Sequence, residues 1–140
     1  MIDYSKFKKS LQQLQWQHAN WKGLDQRSGL SALDKEGIAE SVIQRFETCY
    51  DCIWKILKRH LSDKLGLPDL PNSPKPIFRI AADNQLLQNA DAQWLIYAEA
   101  RVQTAHNYDG LKAASTLALM PAFMADAVSL YQTLTGETWG

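Results

Sequence analysis

The chain reads as an all-α protein, an up-and-down helical bundle of four to five helices. Apolar residues recur at intervals of three and four along most of the sequence, which is the signature of helices burying one face. No stretch alternates apolar and polar residues as a half-buried strand does. Gly and Pro gather at a few breaks, and short breaks between long periodic runs are what adjacent helices of a bundle require.

Each element follows in order. Residues 3–22 place Tyr4, Phe7, Leu11 and Leu14 on one stripe, extended by His18 and Trp21, with Trp16 off it. The stretch from Lys22 to Ser31 mixes Gly, Ser, Asp and Arg without period and reads as a loop. Ser31 or Asp34 then caps the longest helix. There Ile38, Val42, Ile43, Phe46, Cys49, Tyr50, Ile53, Trp54, Leu57, Leu61 and Leu65 keep helical spacing until Gly66, with Pro68 and Pro71 beyond. Pro68 to Pro76 is a rigid connector, and the step at Ser73-Pro74 opens a short third helix through Ile77, Phe78, Ile80, Ala81 and Leu86. Asp91 caps a fourth helix with Trp94, Leu95, Tyr97 or Ala98, Val102 and Ala105 inward. Asn107-Tyr108-Asp109-Gly110 breaks it. A fifth helix runs from Leu111 to Gly136, bent at Pro121.

With 140 residues, 46% of them hydrophobic, the chain has the size of one domain spanning residues 1–140 and enough apolar material for one core. Fifteen basic and fifteen acidic residues cancel, so no global field draws nucleic acid and any RNA contact must come from a local patch. A net charge near zero also favours association with another chain. The first residues lack the apolar core of a secretion signal, and no run approaches the roughly 20 apolar residues of a membrane helix, so the expectation is a cytoplasmic protein without a membrane partner. Cys49 and Cys52 form a C-x-x-C inside a helical pattern with no second ligand pair, which reads as helix packing and not as a metal or redox site.

Two features carry chemistry. Arg101, His106 and Tyr108 lie within eight residues at the end of the fourth helix. A guanidinium suits phosphate oxygens, an imidazole both takes and gives protons near neutrality, and a phenol offers a hydroxyl, a set that fits phosphodiester chemistry. The structural reading is a solvated Arg, a C-terminal capping His and a packing Tyr. On an ideal helix residues 101 and 106 diverge by about 140°. Either the helix ends between them or the site is shared between two chains across a two-fold axis. The second feature is a ladder on helix two, Glu47, Asp51, Lys55 and Arg59, whose simplest reading is a salt-bridged solvent face.

The Arg-x4-His-x-Tyr arrangement of Arg101, His106 and Tyr108 resembles the signature of HEPN domains. It resembles in particular the HepT toxins, also described as nucleotidyltransferase substrate-binding proteins and encoded beside minimal nucleotidyltransferases. The run Arg45-Phe46-Glu47 followed by Trp54-Lys55-Ile56-Leu57-Lys58 is similar to the second helix of that family, whereas Val102 stands where many relatives have Asn. The resemblance implies metal-independent, cofactor-free endonucleolytic cleavage of RNA, not DNA, by a homodimer. His106 would move the proton and Arg101 would hold the scissile phosphate, with Asn107, Arg45, Glu47 and Asp51 lining the cleft. It further implies a toxin-antitoxin pair. The cognate minimal nucleotidyltransferase would act as antitoxin and adenylylate Tyr108, placing a bulky anion in the phosphate site. The alternative implied by the same family is a non-catalytic substrate-binding subunit of a two-component nucleotidyltransferase.

Overall fold

The structure, a computed structural model, describes residues 2–88, 91–106 and 110–140, and of His106, Gly110 and Leu111 the backbone alone. Among the described residues five α-helices follow one another, α1 (Ser5–Lys22), α2 (Ala32–Asp63), α3 (Pro74–Asp83), α4 (Asp91–His106) and α5 (Gly110–Thr135), with one 3-10 turn at Leu24–Gln26. No strand occurs among the described residues.

The 32 residues of α2 make a rod of about 48 Å that the other helices lie against. Ser31 and Asp34 start it together. The Ser31 hydroxyl accepts the Asp34 N–H at 3.0 Å and the Asp34 carboxylate accepts the Ser31 N–H at 3.1 Å, so both candidates for the cap belong to one capping box. The helix ends at Asp63, short of Gly66, but its last carbonyls stay satisfied. The N–H groups of Gly66 and Leu67 donate back to Ser62 and Leu61, with Gly66 at a φ of 67° that a side chain would resist. Leu65, expected on the buried stripe, lies in this unwinding turn and is exposed.

Helix α1 runs antiparallel to α2: the Tyr4 hydroxyl meets His60 Nδ1 at 3.2 Å near one end, and Arg45 reaches Gln13 at 3.0 Å near the other. Phe7, Leu11 and Leu14 are buried as their spacing predicts, His18 joins them, and Trp16 is exposed. Leu24, in the segment read as a plain loop, is buried through the 3-10 turn. Helix α3 begins at Pro74 and ends at Asp83, so Leu86 lies past the helix beyond Gln85, whose φ is 57°.

The centre is aromatic. Phe123 of α5 meets Phe46 of α2 edge-on at 4.9 Å and Tyr97 of α4 at 5.1 Å, and Trp94 stacks on Phe78 of α3 at 5.1 Å. Such pairs contribute about 0.5–1.5 kcal/mol each beyond area burial. The buried Tyr97 hydroxyl receives a bond from Gln93 and donates to Asp126 of α5, which joins α4 to α5 through a polar contact under the aromatic layer.

Two expectations about helix faces change. Helix α4 buries Trp94, Tyr97 and Ala98, but Val102 is exposed because Ala98, Arg101 and Thr104 form the face toward α2 and residue 102 is rotated about 100° from its centre, and Ala105, on that face, is exposed at the open depression beside Arg101. The 24 residues Lys112–Thr135 of α5 include an 18-residue window with a mean hydropathy of 1.4, long and apolar enough to cross a membrane by length and composition, contrary to the expectation that no run approaches that. Leu117, Met120, Phe123, Ala127, Leu130 and Leu134 of this helix are buried in the bundle, which accounts for its apolarity.

Candidate functional site

Arg101 sits where α4 crosses α2. Its Nε and one Nη donate to the two carboxylate oxygens of Asp51 at 3.2 and 3.1 Å, a side-on bidentate pair, and the other Nη donates to Glu47 at 3.0 Å. The Thr104 hydroxyl lies 2.8 Å from the same Glu47 oxygen and 2.9 Å from the Arg101 carbonyl. Residues 47 and 51 share a face because they are one helical turn apart, and Arg101 and Thr104 share one for the same reason.

The Arg101 side chain is a quarter exposed, at 26%, so its pairs are shielded from water without being sealed off. The hydrogen bond to Asp51 raises its pKa above the usual value against the opposing effect of desolvation, and the charges of Asp51 and Glu47 add to the rise. Its charge is therefore permanent. With two carboxylates facing one guanidinium, the cluster carries a net charge of −1. Three of the five guanidinium N–H groups are used, which leaves two for another acceptor.

The cluster separates two depressions. One, of about 340 Å³, is edged by Glu40, Ile43, Gln44, Glu47 and Thr104. The other, of about 210 Å³, is edged by Tyr50, Asp51, Pro74, Lys75, Arg101 and Val102. Lys75, paired with Glu99 at 3.3 Å, closes the α3 side of the second.

The structure thus brings together Arg101, Glu47 and Asp51 of the sequence-predicted residues. It does not bring Arg45 to them: its guanidinium donates to Gln13 of α1, since two residues along a helix from Glu47 is a turn of about 200°. The His106 side chain, Asn107 and Tyr108 lie outside the described residues, so their placement relative to Arg101 is not part of this geometry. The charge ladder on α2 does not pair with itself. Its two acids hold Arg101, and its Arg59 pairs onward with Asp63 at 3.3 Å. Thr104 was missed by sequence reasoning; its signal was the i, i+3 spacing from Arg101. Among the described residues, no group of three or more His, Cys, Asp or Glu side chains could hold a metal ion.

Comparison with known proteins gives two findings. A family described as nucleotidyltransferase substrate binding protein like matches residues 2–136. A crystal structure of a protein from Thermus thermophilus is similar, with 25% sequence identity and a TM-score of 0.66, over 87% of this chain and 98% of that one. No curated protein matches this chain.

Proposed function

The chain belongs to the nucleotidyltransferase substrate-binding protein-like family, and from that premise we propose that it is the non-catalytic helical subunit of a two-component nucleotidyltransferase. In this reading it presents the α2–α4 face to a small catalytic partner. One observation carries the reading: Arg101, the residue that would have to grip a phosphodiester, is held by Glu47 and Asp51 in a cluster of net negative charge. Such a cluster repels an approaching polyanion, yet it is a rigid tie between two helices that fixes the shape of a docking face.

A second reading has its own support. Arg-x4-His-x-Tyr stands at the end of α4, and Arg101 keeps two N–H groups uncommitted. Here the chain is an RNase toxin in which His106 moves the proton, Arg101 stabilises the phosphate, Asn107 assists, and adenylylation of Tyr108 by the nucleotidyltransferase silences cleavage. The divergence of residues 101 and 106 along α4 favours a homodimer that brings two copies of the motif together; a strictly monomeric mass by light scattering at micromolar concentration would exclude it.

One experiment separates the two readings. Purified chain is incubated with RNA, alone and with the neighbouring nucleotidyltransferase, ATP and Mg²⁺. The subunit reading expects no cleavage by the chain alone and nucleotidyl transfer only when both proteins are present. The toxin reading expects cleavage lost in His106→Ala and Arg101→Ala, suppressed as the chain gains adenylyl mass, and unsuppressed in Tyr108→Phe. Cleavage by the wild type that both Ala variants lose would overturn the subunit reading.

A further inference from the structure

The lower half of the α2 ladder faces a different space from the upper half. Beyond Asp51 lies a cavity of about 490 Å³ at the seam of α1 and α2, within the range that small ligands occupy. Its floor is apolar, made by Ile2, Ile56 and half-buried Cys52, and its rim carries Lys6 from the first turn of α1 with Lys55 and Arg59 from α2. The spacing explains the convergence. Residues 52, 55, 56 and 59 fall on one helical stripe, and the antiparallel start of α1 delivers Lys6 to it.

The charge around this cavity is cationic in effect. Lys6 and Lys55 form no ion pair among the described residues, and Lys55 rests 5.9 Å from the Trp54 ring centroid. Arg59 gives its Nε to Asp63, which leaves its terminal nitrogens. Of the two carboxylates at the rim, Asp51 is committed to Arg101, and Asp3 accepts the Ser5 N–H at 2.9 Å. Both amines act at one place: burial raises the Cys52 pKa, and the charges of Lys6 and Lys55 oppose that rise.

We infer that this cavity is a binding site for the phosphate groups of a nucleotide, held by Lys6, Lys55 and Arg59 over the Ile2 and Ile56 floor. Lys acts as a mobile point charge toward phosphate and Arg as a directional fork, so the three together suit a chain of phosphates better than a single one. The site borders the Arg101 cluster at Asp51 but does not use Arg101, and it does not rest on either reading proposed above. Its phosphates can come from a free nucleoside triphosphate or from an RNA strand.

Cys52 supplies the test. It lies half-buried on the floor, whereas Cys49 is fully buried with its thiol pushed up to about 12, so iodoacetamide should alkylate residue 52 selectively. Alkylation of the intact chain is followed by mass with ATP, with inorganic tripolyphosphate, and with a short RNA oligonucleotide. Saturable protection by ATP and tripolyphosphate assigns the site to a free nucleotide, and protection by the oligonucleotide alone assigns it to strand phosphates; either supports the inference. Lys6→Ala and Lys55→Ala, both at exposed positions, should each raise the half-protecting concentration about tenfold or more. Protection by none of the three, or protection unchanged in the double variant, overturns it.

Discussion

Removing the Arg101 guanidinium would leave Glu47 and Asp51 one turn apart, partly shielded, with no counter-charge between them. Arg101→Ala should therefore cost about 1–2 kcal/mol by urea unfolding, below the value of a fully buried pair because the site is open to water. Asp51→Asn with Glu47→Gln in the same background should recover most of that loss, since it removes the repulsion left behind. The buried histidines act through pH. Burial first, then Lys22 for His18 and Lys64 for His60, lowers both pKa values below the ordinary 6.5. Between the lowered folded value and the unfolded one, the unfolded chain binds more protons, so stability rises with pH in that window. Their contribution is complete above about 6.5 and is lost as pH falls through and below it. The urea midpoint should drop on going from pH 7.5 to 5.5, and His60→Gln should make that drop shallower. His60 falls on the buried stripe of α2, three and four residues after Leu57 and Ile56 and beside Leu61, and its ring nitrogen is partnered there by the Tyr4 hydroxyl across the α1–α2 seam.

At the level of the helix, a cap is the most legible signal and the most directly tested. Ser31→Ala removes one half of the box that opens α2 and should cost about 1 kcal/mol, measured by thermal or urea unfolding, with the first turn losing amide protection before the rest. The starts of α2 and α3 were readable because Ser31 and Pro74 occupy positions where orphan N–H groups or a fixed φ demand them, whereas Asp91, expected to cap α4, is the first residue within it. The end of α2 was less so: Gly66 marks where the chain must turn left-handed, whereas the helical bonds relax over the three residues before it. The inner face of α4 was misjudged at Val102 for a related reason. Periodicity identifies apolar positions, but near the crossing with α2 the face is set by an ion pair, and an Arg reads as a solvent residue in any hydrophobic pattern.

For the molecule as a whole, the fold class was legible because five periodic runs with short breaks admit little besides a bundle, and the pairing of α4 with α2 through Glu47, Asp51 and Arg101 was not, since spacing within a helix says nothing of which neighbour it meets. Phe123 is where those neighbours converge. Phe123→Ala should cost about 3–5 kcal/mol, a large share of the total stability of a single domain. Far-ultraviolet and near-ultraviolet circular dichroism should then lose signal together, because one aromatic layer serves α2, α4 and α5 at once. That layer also makes the chain its own optical gauge. Trp94 is 2% exposed and stacked on Phe78, whereas Trp16 is 68% exposed on α1. Trp21, Trp54 and Trp139 lie between these extremes, half-buried, so Trp16→Phe should remove the reddest and most acrylamide-quenchable share of the emission, and Trp94→Phe the bluest and least quenchable share.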